Sequence, residues 1–178
     1  MHRPSRQLLL AVLVAVLPWP LAAAAASELG DAQILHIVVA ANRVDVDAGK
    51  LARTKSVGSQ TRAFAEQMIA DHNAVSAQAV SLAKRLRLKP EDNAVSRSLH
   101  QGGRDNLASL RGLTKGAAFD RAYLAHEIAY HEAVLDVLDK TLIRSASSAE
   151  LGAFLTSLRP TFVAHLEHAK RVQSALGS

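Results

Sequence analysis

Apolar residues recur at three- and four-residue steps along most of this chain, and polar breaks separate the runs. Over residues 28–54 the stripe is Ile34, Leu35, Val38, Ala41, Asp45, Ala48 and Ala52. That spacing predicts an amphipathic helix, which Ser27 or Asp31 can cap. Thr54 to Ser59, with Gly58 inside it, predicts a break. Over residues 57–87 the stripe is Ala65, Met68, His72, Val75, Ala79, Leu82 and Leu86, with Phe64 beside it. Arg85, Arg87 and Lys89 suit a helix C-terminus, where the macrodipole favours cations, and Pro90 ends the segment.

Residues 91–114 are weaker. Val95, Leu99, Leu107, Leu110 and Leu113 can line one side of a helix, but Gly102-Gly103 interrupts it. Each glycine costs up to about 1 kcal/mol there relative to alanine, so a shorter or bent connecting helix is expected. Residues 116–144 form the third long helix, with Asp120, Tyr123, Leu124, Glu127, His131, Val134, Leu135 and Leu138 on one face. Residues 148–176 form the fourth, with Leu151, Phe154, Leu158, Phe162, His165, Ala169, Val172 and Leu176 on its stripe. Pro160 lies inside and predicts a kink or a division after Leu158. The fold class is therefore all-α: a four-helix bundle with a shorter crossover helix between helices two and three. A connection of that length lets those two helices run parallel.

Composition agrees: 49% of residues are hydrophobic but only 4% aromatic, with five prolines and nine glycines. Alanine and leucine, both good helix formers, are abundant. The chain has no cysteine, which excludes disulfides, thiolate metal sites and cysteine nucleophiles. At the start, His2, Arg3 and Arg6 precede an apolar run from Leu8 to Leu17; Pro18-Trp19-Pro20 breaks it, and Ala22 to Ala26 follow. This is the layout of a signal peptide over residues 1–26, with cleavage near Ala26. The run is too short for a comfortable membrane span. The expectation is an exported domain over residues 27–178, periplasmic or outer-membrane-associated, with no integral span. Loss of Arg3 and Arg6 takes the net charge from +5 to +3. The remaining charges are scattered, so nucleic acid is not an expected partner.

The informative departures are ionisable residues on apolar stripes. Asp45, His72, His131 and His165 each stand where an aliphatic residue belongs, one per long helix, and Glu127 is one turn from His131. Each lies about fifteen residues into its helix, roughly 20–25 Å along a rod of about 45 Å. Mid-helix positions stay level whichever way a helix runs, so the five can converge in one layer. An unpaired buried charge costs several kcal/mol or changes its protonation. Two arrangements satisfy such a layer. One is a divalent transition metal such as zinc, iron or copper, held by imidazole and carboxylate. The other is a closed hydrogen-bond network that fixes the fold.

Other polar residues carry less. His168 is expected at the edge of the same face, His126 on a flank or in solvent, and His36 and His100 at the surface. Tyr123 is expected to pack in the core with its hydroxyl satisfied. There is no Glu-x-x-His pair of the di-iron bundles, no HExxH, no phosphate loop and no GxSxG. No reaction is assigned.

Three stretches carry a resemblance: FAEQMIADHNAVSAQAVSLAKRL at 64–86, FDRAYLAHEIAYHEAVLDVL at 119–138 and LRPTFVAHLEHAKRV at 158–172. With the leader they resemble the bacterial exported family called domain of unknown function 4142, and the likeness covers nearly the whole mature chain. Asp71-His72, Phe119, Asp120, Tyr123, His131 and His165 match its pattern, while Asp45 stands where that family often has glutamate. The resemblance implies a ferritin-like helical bundle and export. It implies no activity.

Overall fold

The computed structural model describes residues 29–176, and every regular element among them is helical. The expected signal peptide lies outside those residues. The elements are α1 (Asp31–Lys55), α2 (Ser59–Arg85), α3 (Ala94–Gly112), α4 (Ala117–Val137), a π-helical turn (Leu138–Leu142), α5 (Ile143–Ser145) and α6 (Ala149–Ala175).

Polar contacts fix which ends meet. At one end the Asp31 carboxylate accepts the backbone N–H groups of Ser147 and Ser148, at 2.8 and 2.9 Å. Asn93 donates to the Gln33 carbonyl, and Arg85 pairs with Glu150. At the other end Lys55 donates to the carbonyls of Leu110, Arg111 and Leu113, closing the C-terminus of α3. There Asp120 accepts from the N–H groups of Val57 and Gly58, capping α2 from a different helix. Helices α1, α3 and α6 therefore run one way and α2 and α4 the other.

Several expectations change. Asp31 does not cap α1: Gly30 does, its N–H donating to the Gln33 side chain, while Asp31 reaches across the bundle. Pro160 does not divide α6, which runs unbroken. It sits on the exposed face with Thr156, so the carbonyl that loses its amide partner is on the water side. Leu158 and Phe162 meanwhile hold both flanks to the core. As expected, α3 is the shorter helix at 19 residues, and it runs unbroken through its glycine pair. A Cβ on Gly103 would lie 2.7 Å from a Val44 methyl, so this glycine lets α3 approach α1 closely. The π-helical turn after α4 was not expected, and no sequence signal marks it.

The interior falls into two apolar cores. One, near the start of α1, is built from large aliphatic side chains such as Ile34, Leu35, Leu82, Leu151 and Leu155. The other, near the end of α1, mixes alanine with aromatics: Ala48, Ala52, Phe64, Phe119 and Tyr123. Asp45, His72, Glu127, His131 and His165 belong to neither core.

Candidate metal centre

The five mid-helix residues come together between the two cores. All are between 0 and 3% exposed. The rings of His72, His131 and His165 form a triangle with centroids 5.1–5.5 Å apart. One ring nitrogen from each lies within 4.8 Å of the other two. Asp45, Glu127 and His131 form a second such triad, so His131 belongs to both. A tetrahedral ion with nitrogens at about 2.1 Å holds them about 3.4 Å apart. The three rings thus need to close by roughly 1.4 Å at most, a side-chain adjustment rather than a refolding.

Each imidazole is oriented by one hydrogen bond on its outer side. His72 Nδ1 is 2.7 Å from the Asn42 side-chain oxygen. Asn42 is itself fixed, because its amide nitrogen donates to the Val38 carbonyl at 2.7 Å. His131 Nδ1 is 2.9 Å from the Glu127 backbone carbonyl, one turn back on the same helix. His165 Nε2 is 2.9 Å from the Asp71 carboxylate. Every one of these partners is an acceptor, so the nitrogen facing it carries the proton. The remaining nitrogens (His72 Nε2, His131 Nε2 and His165 Nδ1) each keep a lone pair, and none has a protein hydrogen-bond partner. The Asp45 Oδ1 and both Glu127 carboxyl oxygens likewise receive no N–H or hydroxyl donor of normal geometry, and the two carboxyls lie close enough to bond only to each other, through a proton. Asp45 Oδ2 stands 3.5 Å from His72 Nε2, too long for a good bond.

Burial sets the protonation. It pushes His72 down to about 3, with His165 adding to the shift, and His131 down to about 4. Both rings are neutral at pH 7. Burial also raises Asp45, and it raises Glu127 well above the usual carboxylate range, with the Asp45 charge as its next cause. Two close, buried carboxyls cannot both ionise without a cation, so they share a proton. Phe162 stacks on His72 at 5.6 Å and seals one side of the layer.

Asn42 and Asp71 were not expected as partners. Asn42 lies a turn before Asp45 and off the stripe. Asp71 precedes His72, and its carboxylate, 39% exposed, reaches α6. Only the sequence adjacency of Asp71 to His72 hinted at a role. Asp120, on the same predicted face as Glu127, is buried but serves α2 instead. Tyr123 packs fully in the core, yet its hydroxyl makes no hydrogen bond of normal geometry; it faces Glu127 closely enough to shift its titration. His36 and His100 are half-buried with their rings 6.4 Å apart, not free at the surface. His126 stacks on Tyr130 at 5.6 Å, and burial lowers it to about 4. His168 sits at the rim, bonded to Gln67 at 3.0 Å.

The sequence profile of the family described as domain of unknown function DUF4142 matches residues 18–172, which contain every residue of this layer. The chain belongs to that family. No curated protein and no solved structure matches it. Among the described residues of this DUF4142 protein no helix is long and apolar enough to cross a membrane.

Proposed function

We propose that this protein binds one divalent transition metal ion, zinc, iron or copper, in the mid-bundle layer. His72, His131 and His165 would supply nitrogen ligands, and Asp45 or Glu127 the oxygen. The observation that carries this reading is an excess of acceptors. Three lone pairs and two carboxyls face one another, and the proton of each imidazole is already committed outward. The donors left to the layer are the one proton shared by the carboxyls and the Tyr123 hydroxyl. An electron-pair acceptor satisfies the whole set at once, and two ionised carboxylates balance a divalent charge. The outer acceptors on the rings are the kind of partners that orient metal-binding histidines. The reading is of a metal-holding protein, with no reaction assigned.

The helix directions support a ferritin-like arrangement in which α3 acts as the crossover between the parallel α2 and α4. The leader pattern supports export to the periplasm or the outer membrane. N-terminal sequencing of the mature protein from a periplasmic extract tests that part: a chain retaining residues 1–26 would refute it.

The metal is tested by elemental analysis of protein purified without chelators. About one equivalent is expected in the native protein and none in His131→Ala, since His131 serves both triads. Equal content in the two would exclude this site. One observation favours a second reading, a metal-free network that fixes helix register: the shared proton lets Asp45 and Glu127 persist unaided. On that reading the native protein carries no metal, and apolar replacement of the layer leaves its cellular role intact.

A further inference from the structure

Beside the layer the packing opens into a pocket of about 200 Å³ between α1, α3, α4, the π-helical turn and α6. Its sides are aliphatic, with Ile37, Val95, Leu99, Val134 and Leu142 among them. Its inner wall is Asn42, Tyr130 and Phe162, the residues that touch the histidines. The polar groups of that wall are engaged: Asn42 bonds His72 and Val38, and the Tyr130 hydroxyl donates to the Ala41 carbonyl at 2.9 Å. Toward solvent the lining ends at Ala94 and Ser98, both exposed.

This shape limits the occupant. An apolar cavity of about 150 Å³ stays dry and takes up benzene or xenon, so this larger one suits a hydrocarbon. A helix, about 10 Å across, is too thick for it. Along α4 and the π-helical turn the lining runs from Tyr130 to Leu142, about 18 Å at helical rise: an elongated slot. One end meets solvent beside a serine and the wall beyond is apolar. We propose that the pocket binds the hydrocarbon chain of a single-chain amphiphile, with its polar head at the Ser98 mouth. This inference does not rest on the metal reading.

The test is a titration of the full protein with straight-chain alkanoates from hexanoate upward, kept below their micelle concentrations. Affinity should rise about fourfold per added methylene and then level off once the slot is full. With decanoate, methyl NMR shifts should concentrate at Val95, Leu99 and Val134. Val95→Trp, which fills the slot, should weaken decanoate at least tenfold. Should that variant fail to fold, the wild-type shift map decides. Absence of saturable binding, affinity that climbs with length without levelling, shifts centred on the exposed Val57 and Val80, or unchanged binding in a folded Val95→Trp would each overturn the proposal.

Discussion

The aliphatic core near the start of α1 and the histidine–carboxylate layer are equally buried, yet they contribute to the fold in opposite ways. In the core, Leu35, Leu151 and Leu155 are fully buried among other aliphatic side chains. Their burial is favourable, and their removal leaves a void. In the layer, five polar side chains are equally dry, but three imidazole nitrogens meet no hydrogen-bond partner and the two carboxyls have only the proton they share. Desolvating such groups costs free energy that the layer does not recover by itself. Burial alone therefore does not mark a residue as stabilising; its satisfied contacts do. On the proposed reading, a bound metal ion supplies the partner that the layer lacks.

The largest effects test this contrast directly. Leu155→Ala should destabilise the protein by about 2–5 kcal/mol, as large-to-small core changes do. Replacing Asp45, His72, Glu127, His131 and His165 together by leucine should leave the metal-free protein as stable or raise it by roughly 1–4 kcal/mol. Urea unfolding with chelator present measures both. A layer replacement that costs as much as Leu155→Ala would erase the distinction between the two regions.

Acid is the next probe, because the core has nothing to titrate. An unfolded histidine takes up its proton near pH 6.5, whereas His72 holds out to about 3 and His131 and His126 to about 4. Below pH 6.5 the unfolded chain binds more protons than the native one, so stability falls as pH falls. Each ring accounts for roughly 2–3 kcal/mol between pH 6.5 and 4.5. Asp45 and Glu127 act oppositely. Burial raises both, so the native state keeps protons that the unfolded chain has released, and acidification removes that cost. Because the two carboxyls share one proton, the pair offsets one of the three rings, which leaves a net loss of about two rings' share, roughly 4–6 kcal/mol. Asp45→Asn together with Glu127→Gln removes the shared proton and should steepen the fall by about one proton. A flat dependence in chelated protein would mean that these rings are solvated.

The contrast also explains what could be read from the chain. The stripe of α2, from Ala65 through His72 to Leu82, is buried as its period predicts, because one face of that helix meets the bundle. The level of the five layer residues followed from helix length alone. On α1 the stripe was too narrow. Asn42, Val44 and Val46 are buried as well, since α2, α3 and α4 surround this helix on several sides, and amphipathic period cannot register a helix packed all round. Asn42 and Asp71 escaped for a related reason: each acts on a histidine from a different helix, and pairing between helices has no period in sequence. The division expected at Pro160 did not occur because a proline on the exposed face interrupts only a solvated hydrogen bond.

The smallest change falls where the two kinds of interior meet. The Tyr123 ring belongs to the aromatic core, stacked on Phe119 at 6.4 Å with only 10° between the planes. Its hydroxyl faces the layer without a hydrogen bond of normal geometry. Tyr123→Phe keeps the ring, so the core side should not notice. Loss of the hydroxyl should alter stability by no more than about 1 kcal/mol. The layer side should notice more, because the Tyr123 hydroxyl holds Glu127 below the level that burial and Asp45 would otherwise impose. Without it Glu127 keeps its proton to higher pH, and a metal ion must displace that proton to bind. The pH midpoint of zinc uptake by chelator-stripped protein should therefore move upward in Tyr123→Phe while the unfolding midpoint in urea stays nearly fixed. The reverse outcome, an altered unfolding midpoint with an unmoved uptake midpoint, would place the hydroxyl with the core and exclude Glu127 from the proton–metal exchange.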